Sequence, residues 1–297
     1  MISVIIPTRN RSDLLLQVLP SYFSQKDVLE IILVDDSTQA VHSKKIRDFA
    51  QKNPKLVLIQ DGKPAGLPAA RNKGMRRAKG SHIFVGEDDV WLPQDHLKIL
   101  LDHLVKNDAD VLGGRKIWLH SGETIDEALM RADQRKVKPF NTFLMNFNSD
   151  VPGKEDVMAP FLQNNALMKK GVFEKVQYEE SYVGFAKGYS WRDETDFYMS
   201  VNEKGFKVLF CPHVFVFNFL TQTGGTHSFS RWKKEYWILR NQYYLLKKHK
   251  RFIQNILHNP YPLSLLWSAY ALTRIYGHLR NGLWFLKQRL RRVKDST

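Results

Sequence analysis

Short apolar runs alternate with amphipathic stretches along the first ninety residues of the chain. The apolar runs predict buried strands, and the stretches with apolar residues three or four positions apart predict helices. Strands are predicted at residues 2–6, 31–34 and 56–59, and helices at residues 12–23, capped by Ser12, and 44–51. This alternation is typical of βαβ units, so we predict an α/β fold with a mostly parallel, doubly wound sheet flanked by helices.

Polar side chains follow these strands. Thr8 and Asn10 come after the first strand, and Asp35 and Asp36 follow the second. In an open α/β sheet, ligands bind in the crevice outside the carboxyl ends of the strands. A further helix is predicted to bring Arg71 to the same edge, where a basic side chain can meet a phosphate or a base.

Three consecutive acids, Glu87, Asp88 and Asp89, lie between a predicted strand at residues 81–85 and a helix predicted to start at Pro93. Adjacent carboxylates repel one another unless a cation neutralises them. Oxygen ligands of this kind suit a divalent ion that carries substrate phosphates. The alternative is that the acids only complement the dipole of the helix that follows.

A second acidic cluster enters a helix predicted to end at Gly205. Its acids are Asp193, Glu194 and Asp196, and Trp191 and Arg192 precede them. One interpretation is local, with Asp193 capping the helix and Asp196 three residues on. The other is a carbohydrate site, in which the tryptophan offers an apolar face and the carboxylates bind hydroxyl groups. The residue types alone leave both interpretations open.

The pattern between and after these clusters is weaker. Strands are predicted at residues 109–114, 116–120, 163–170, 206–211 and 212–218. Residues 121–157 lose clear periodicity and are interpreted as an insertion or as acceptor-side loops. Asn165 either binds a sugar hydroxyl or caps a turn. The segment around Gly224 is interpreted as a mobile loop that acts as a lid.

Several function classes find no support. Neither the Gly-rich dinucleotide fingerprint nor the P-loop occurs, and zinc motifs such as H-E-x-x-H are missing. The single cysteine, Cys211, excludes an internal disulfide framework and a thiolate cluster, fits a reducing compartment, and is interpreted as a small buried apolar residue. The chain opens directly on a strand pattern rather than a signal peptide, so a cytoplasmic catalytic part is expected.

The motifs taken together resemble a family 2 glycosyltransferase of the GT-A fold over residues 2–250. They lie at residues 4–11, 32–38, 66–74, 87–90, 164–166, 192–196 and 240–241, and it is their order and spacing that carries the resemblance. The resemblance implies a GT-A type catalytic domain at residues 1–230. Its nucleotide-sugar-binding half would be residues 1–110 and its acceptor-binding half residues 111–230.

The resemblance also implies roles for individual residues. The donor nucleotide would be bound by Pro7, Thr8, Asn10, Asp35, Asp36, Arg71 and Asp88. Glu87 and Asp89 match the D-x-D motif that holds Mg²⁺ or Mn²⁺ against the diphosphate. Glu194 would be the general base beside Asp193, giving direct displacement with inversion. The acceptor would meet Asn165, Trp191, Arg192 and Asp196.

The sequence departs from the family pattern in three places. Glu87 replaces the usual leading Asp of the metal motif, and Asp193 and Glu194 stand in the reverse of the usual order. Asn218 stands where related enzymes often carry a His. Either His227 substitutes for that His, or the metal relies on Asp89 and the phosphates alone.

The basic charge of the chain is concentrated in its last part. Residues 231–297 hold 15 lysines and arginines against two acids, which accounts for +13 of the formal net charge of +15. A helical pattern breaks at Pro260 and Pro262, and a long helix follows whose uncharged run, ending at Thr273, is too short to span a bilayer. A basic amphipathic tail held on an anionic membrane by Trp267 and Trp284 is expected. The alternative is packing on the core or in a dimer.

The expected function is a metal-dependent, inverting transfer of a sugar from a nucleoside diphosphate donor to a hydroxyl. The acceptor would be a glycan or a lipid-linked molecule at the inner face of the membrane. A sugar-phosphate nucleotidyltransferase is the enzymatic alternative, but it should carry a Gly-rich basic loop where Thr8, Arg9 and Asn10 stand. A non-enzymatic protein that binds anionic surfaces through the tail is the other alternative. Nucleic acid ranks well below the other partners, because both acidic loops would then have no task.

Overall fold

The computed structural model describes residues 1–183, 190–220 and 230–294, with side chains described as far as residue 280. The predicted lid around Gly224 and the substitute ligand His227 lie outside the described residues, as does the side chain of Trp284.

A mixed sheet forms the centre of the described structure. Its strands are β1 (Ile2–Thr8), β2 (Val28–Asp35), β3 (Leu56–Ile59), β4 (His82–Val85), β5 (Val90–Trp91), β6 (Val111–Leu119), β9 (Val157–Met158), β10 (Ala166–Lys169) and β11 (Val208–Phe219), and β7 (Phe140–Asn141) and β8 (Asn146–Phe147) form a separate hairpin. The strand order is β3-β2-β1-β4-β10-β6-β11-β5, and β9 pairs with β11. β1 is parallel to β2 and β4, whereas β10 is antiparallel to both β4 and β6. The predicted mostly parallel sheet is therefore confirmed. β10 runs in the opposite direction within it, and the short strands β5 and β9 are antiparallel to β11.

Helices cover both faces of this sheet. They are α1 (Ser12–Phe23), α2 (Ala40–Ala50), α3 (Leu67–Arg77), α4 (His96–Lys106), α5 (Ile125–Asp133), α6 (Lys170–Lys175), α7 (Asp193–Glu203), α8 (Arg231–Lys248) and α9 (Leu263–Lys294). Successive residues of β1 point to opposite faces, so Ile5 joins one hydrophobic cluster while Val4 and Ile6 join the other. Burial on both faces explains the nearly unbroken apolar runs of these strands.

Some boundaries differ from those expected. The strands predicted at residues 109–114 and 116–120 form the single strand β6, and those at 206–211 and 212–218 form β11. In β11 the pairing register shifts between Cys211 and Phe215, where Pro212 lacks a backbone N–H for the ladder. The helix expected from Pro93 begins at His96, and the side chain of Ser12 binds His42 instead of capping α1.

The segment at residues 121–157, interpreted as loops, contains the helix α5. Thr124 caps this helix and Glu127 returns a bond to the backbone of Thr124, which completes a capping box. The sequence signal for this start was present, because a Thr three residues before a Glu is the signature of that motif.

The basic tail packs partly on the rest of the fold. Leu245 and Leu246 of α8 and Leu266 of α9 are buried in the same hydrophobic cluster as Ile5 of β1. The first part of the tail therefore shares the core of the α/β fold. Of the helices in the described residues, none is both long enough and apolar enough to cross a membrane.

Candidate functional site

The acids that follow β4 lie at the carboxyl end of the sheet and are held by neighbouring strands. Lys116 of β6 donates a hydrogen bond to Oε2 of Glu87, and Asn165, just before β10, donates to the same oxygen over 2.7 Å. The hydroxyl of Thr8 donates to Asp88 over 2.8 Å. Because β10 runs antiparallel to β4, its first residue Ala166 pairs with Val85, the last residue of β4, which brings Asn165 to this loop.

Arg11 bridges the other two acids, with Nη1 lying 3.1 Å from a carboxylate oxygen of Asp88 and of Asp89. Burial, together with the charges of Asp88 and Glu87, raises the pKa of Asp89 to about 7. Burial acts in the same direction on Glu87, but Lys116, Arg71 and Asn165 together outweigh it and lower the pKa of that carboxyl. The three carboxylates of the loop against the two cations Arg11 and Lys116 leave one surplus negative charge when all five are ionised.

This donor set fits a divalent metal ion. Lys116 and Asn165 both use Oε2 of Glu87, and Arg11 uses Oδ2 of Asp89, so Oε1 and Oδ1 are not engaged by those contacts. Carboxylate oxygens are the ligands that Mg²⁺ and Mn²⁺ prefer, and the surplus charge favours a cation. Glu87 and Asp89 are therefore compatible with the predicted metal.

Asn218 supports the same loop from β11. Its side-chain amide donates to the main-chain oxygen of Asp89 over 3.0 Å, and the backbone N–H of Phe219 donates to that oxygen over 2.8 Å. Asn218 thus positions the backbone of the loop that carries Glu87 and Asp89.

The second acidic cluster opens α7 and is bound by Arg71 of α3. Nη1 of Arg71 donates to Asp193 over 2.5 Å, and Nη2 donates to Glu194 over 3.1 Å. The guanidinium lies over the ring of Tyr178, 5.1 Å from its centroid, and the side chain is only 1% exposed. Arg71, expected to contact the nucleotide, is therefore engaged with the acids of α7. Arg192 is the residue before the helix, so the interpretation of Asp193 as the N-cap is wrong.

Glu194 is the more accessible member of this acidic pair. Its side chain is 25% exposed, and Asn164 donates a hydrogen bond to Oε1 over 2.7 Å. Burial raises the pKa of Glu194 to about 7, while Arg71 opposes the rise and Asp193 adds to it. A carboxylate that titrates near neutrality is suited to take up a proton during a reaction.

Both acidic clusters open onto one cleft of about 680 Å³. Glu87 lines it from the sheet side, and Asp193 and Glu194 line it from α7. Other parts of its wall come from β6, the hairpin, the segment before α7 and the tail: Trp118, Asn146, Phe147, Trp191, Tyr270, Thr273 and Arg274. The participation of α9 in this wall had no signal in the sequence.

Apart from Arg71, the residues expected at the nucleotide lie together at the ends of β1, β2 and β4. Pro7 pairs with Val34 in the sheet, and Asp36 follows at the end of β2. The carboxylate of Asp36 accepts hydrogen bonds from the backbone N–H groups of Ala65 and Gly66 over 3.0 and 2.9 Å.

Two more of these residues hold the adjoining loops in place. Asn10 has a positive φ of 54° and binds the loop after β2 through Thr38 and Gln39. Asp35 accepts a hydrogen bond from Gln60 over 2.7 Å.

Of the residues expected at the acceptor, Trp191 lines the cleft and donates from Nε1 to the hydroxyl of Tyr270 over 3.0 Å. Arg192 also reaches the cleft, but its guanidinium is buried against the hairpin and α8, where it bonds to Asn146 and Gln242. Burial lowers the pKa of Arg192.

Asp196 is buried away from the solvent. Its carboxylate accepts hydrogen bonds from Tyr182, Lys248 and His249 over 3.0, 2.9 and 2.8 Å. The contacts of Asp196 therefore fasten α8 to α7.

Sequence reasoning missed four residues of the site: Arg11, Lys116, Asn164 and Tyr178. Lys116 carried a usable signal, because a lysine inside a buried strand pattern is rare unless it is paired. Arg11 belongs to a motif that was noticed, but its carboxylate partners are 77 and 78 positions away and leave no local trace.

Comparison with known proteins agrees with this geometry. The family model described as Glycosyl transferase family 2 matches residues 3–176, more than half of the chain. Glycosyltransferase GlyA of Streptococcus pneumoniae is 29% identical over 123 residues, which is 41% of this chain but only 18% of GlyA. The chain thus matches a minor part of that relative's length.

Two solved structures share the fold over most of the chain. S. aureus TarS residues 1–349, in complex with UDP-GlcNAc, superposes with a TM-score of 0.58 at 15% identity and covers 93% of this chain and 72% of that one. The mannosyltransferase PcManGT from Pyrobaculum calidifontis, in complex with GDP-Man and Mn²⁺, superposes with a TM-score of 0.57 at 17% identity. The match covers 97% of this chain and 79% of PcManGT. The predicted GT-A type fold is confirmed, and the chain belongs to glycosyl transferase family 2.

Proposed function

We propose that this chain is an inverting, divalent-metal-dependent glycosyltransferase that moves a sugar from a nucleoside diphosphate donor to a hydroxyl group. The acceptor is a glycan or a lipid-linked molecule. The observation that carries the proposal is that the metal-motif residue Glu87 and the acid Glu194 line the same cleft. A donor diphosphate beside Glu87 and an acceptor hydroxyl beside Glu194 would then meet inside one cavity.

Glu194 is proposed as the general base. It is the acid of the α7 pair that is accessible from the cleft, and its pKa of about 7 lets it be ionised and still accept a proton near neutral pH. The acceptor oxygen forms the new bond to the anomeric carbon, the bond from that carbon to the diphosphate oxygen breaks, and the hydroxyl proton passes to Glu194. Asp193 and Arg71 hold this base in position.

Glu87 and Asp89 are proposed to hold Mg²⁺ or Mn²⁺. When bound, such an ion supplies charge neutralisation for the departing nucleoside diphosphate. The presence of Mn²⁺ and GDP-Man in the mannosyltransferase structure supports this part of the proposal. Lys116 and Arg11 neutralise the rest of the acidic loop, so a single divalent ion is enough to remove its surplus charge.

The nucleotide is proposed to lie over the ends of β1, β2 and β4. The residues that would surround it are Pro7, Thr8, Asn10, Asp35, Asp36 and Asp88. Several of these groups are already bonded to neighbouring loops, which pre-organises the pocket before the donor binds.

The tail is proposed to hold the protein on an anionic membrane surface at the cytoplasmic face. The exposed apolar residues of α8 and α9 recur at helical spacing: Trp232, Tyr236 and Tyr243 on α8, and Leu272, Ile275, Tyr276 and Leu279 on α9. Basic residues such as Lys233, Lys247 and Lys250 are exposed on the same part of the chain. An apolar stripe among lysines is the composition that binds anionic lipid headgroups.

A thermal-shift screen tests the donor and the metal together. Wild type, Asp89→Asn and the control Asp126→Asn, an exposed acid of α5, are each mixed with UDP-, GDP- and dTDP-sugars in Mn²⁺, Mg²⁺ or EDTA. We expect one donor class to raise Tm only with metal, in wild type and in the control but not in Asp89→Asn, because a ligand stabilises only the state that binds it. The absence of any metal-dependent shift with every donor would refute the proposed site.

A vesicle assay tests the tail separately. Phosphatidylglycerol vesicles should sediment the wild type, added salt should weaken the binding, and phosphatidylcholine vesicles should not bind. The double variant Trp232→Ser/Tyr236→Ser should bind more weakly, whereas Met130→Ser, which alters an exposed apolar residue of α5, should behave as the wild type. Equal binding by both variants would exclude the tail as the membrane contact and leave the transferase proposal untouched.

A further inference from the structure

We propose that His103, Asp156, Cys211 and His213 form a zinc-binding site outside the catalytic cleft. Each of these residues offers one ligand atom, and the four atoms all lie within 4.8 Å of one another. Two imidazoles, a carboxylate and a thiol are the donor types that select zinc over magnesium or calcium, which prefer oxygen alone.

The distances within the cluster fit a tetrahedral ion. Nε2 of His213 lies 3.4 Å from Nε2 of His103 and 3.3 Å from Sγ of Cys211. Zinc binds nitrogen at about 2.0–2.1 Å and sulfur at about 2.3 Å, so the edges of a tetrahedral site measure roughly 3.3–3.6 Å. These two separations already match the edges of such a site. The other ligand atoms, all within 4.8 Å of one another, would move inward slightly when an ion binds.

Three separate parts of the fold bring these residues together. His103 lies in the last turn of α4, and Asp156 comes just before β9, which pairs with β11. Cys211 and His213 belong to β11, where the register shift next to Pro212 interrupts the alternation of the strand. Sγ of Cys211 and Nε2 of His213 lie 3.3 Å apart, so these two side chains, two residues apart in the sequence, reach the same point.

Asp156 gives a second, independent indication of a missing ligand. Its side chain is 8% exposed, and Oδ2 accepts hydrogen bonds from Nδ1 of His103 and from Asn107, over 2.9 and 2.8 Å. The other oxygen, Oδ1, is buried and has no nitrogen or hydroxyl donor within hydrogen-bond distance among the described residues, although it lies 3.8 Å from Nε2 of His213. A buried carboxylate oxygen without a donor is costly, and a bound cation would satisfy it.

The cluster is accessible enough for an ion to enter from solvent, although two of its four side chains are buried. The side chains of His103 and His213 are 25% and 36% exposed, which gives an ion a path from solvent. Burial and the carboxylate of Asp156 raise the pKa of Cys211, so the metal-free thiol is protonated. Zinc binding replaces the S–H bond by an S–Zn bond and releases that proton to solvent.

The position of the cluster separates it from catalysis. Asn218, which supports the metal-motif loop, is seven residues farther along β11 than Cys211, a distance of roughly 20 Å at the usual rise of a strand. Four protein ligands also leave no open position for a substrate. The zinc ion would instead fasten α4 to the bulged part of β11.

Cobalt substitution provides a specific test, because Cys211 is the only cysteine in the chain. Purified, tag-free protein is treated with chelator and then titrated with Co²⁺. We expect strong d–d absorption from a tetrahedral ion and a thiolate-to-cobalt charge-transfer band, and we expect Zn²⁺ to displace both. The catalytic acids carry no sulfur, so the charge-transfer band reports Cys211 alone. Titration without that band would overturn the proposal.

Zinc affinity measured by competition with a chromophoric chelator completes the test. Removal of a group that only supports a metal ligand typically weakens metal binding by about 10- to 100-fold. Cys211→Ser and His213→Ala remove ligands themselves, so each should weaken zinc binding by at least that factor. The matched control His120→Ala changes an exposed histidine outside the cluster and should leave the affinity unchanged. Wild-type affinity in both cluster variants, with folding checked by circular dichroism, would also overturn the site.

Discussion

Replacing Arg71 by methionine is expected to destabilise the protein strongly while leaving the shape of the core nearly intact. Methionine keeps the apolar stem but removes the cation that binds Asp193 and Glu194. Because Arg71 is 1% exposed and Asp193 is also buried, the change leaves acids in the interior without their cation. Breaking a buried ion pair in this way costs about 3–5 kcal/mol, and the lost contact with Tyr178 adds up to about 2 kcal/mol.

The loss should depend on pH in a direction set by Glu194. Its pKa is about 7 in the presence of Arg71, which lowers it, so removal of Arg71 raises that pKa further. A carboxyl whose folded pKa lies above its unfolded value stabilises the fold at low pH and loses that contribution as the pH rises through the folded pKa. The stability difference between variant and wild type should therefore be larger at about pH 8 than at about pH 5.5.

Urea denaturation followed by circular dichroism measures both quantities. Arg77→Met, at an exposed position of the same helix, is the matched control and should change the free energy of unfolding by less than about 0.5 kcal/mol. The double variant Arg71→Met/Asp193→Asn should recover part of the loss, because it removes one of the uncompensated charges. A loss below about 1 kcal/mol, or one that does not vary with pH, would refute the ion-pair explanation.

Three further changes test other parts of the structure. Glu194→Gln should slow donor turnover by about 10²- to 10⁴-fold, measured as release of nucleoside diphosphate with water as the acceptor. The variant should also lack the fall in rate that the wild type is expected to show below pH about 7. Glu174→Gln, which changes an exposed acid of α6, is the control. Asp196→Asn should cost about 3–5 kcal/mol in urea denaturation, since it takes away the charge that fastens α8. The hydrogen bond from His249 lowers the pKa of Asp196 against the effect of burial. The wild type should therefore lose the stability that Asp196 contributes as the pH falls below the usual range of a carboxyl pKa. If Asp196→Asn were as sensitive to acid as the wild type, this role of Asp196 would be contradicted. Gly74→Ala should lower stability by about 1–3 kcal/mol because the new methyl group would overlap Ile5, whereas Gly171→Ala, with open space around it, should not; equal effects would mean that the α3–sheet packing is looser than described.

The elements that could be predicted from the sequence are those whose signals lie within a short stretch of the chain. The strands at the start of the chain and the helices α1 and α7 were found because periodicity and turn residues mark them within a short window. The two acidic clusters were found because each groups three acids beside the start of a predicted helix. The resemblance to the family then grouped residues that no local pattern connects.

Pairing across the fold escaped prediction. Lys116 meets Glu87, and Arg71 meets Asp193 and Glu194, only because β6 and α3 lie beside the two loops in space. The bulge in β11 was taken for a break between two strands, since Pro212 gives the same signal in both cases. The capping box at Thr124 was different, because its signal was present and was missed.

The long helix α9 has a consequence for how variants of this protein could arise. Tyr270, Thr273 and Arg274 of this helix line the cleft that holds Glu87 and Glu194, while Leu272, Ile275 and Tyr276, interleaved with them, are exposed. One stretch of chain therefore shapes both the cavity and the outer surface. Under the proposed function, exchange of this helix between relatives would change the wall of the acceptor cleft and the proposed membrane contact in a single step.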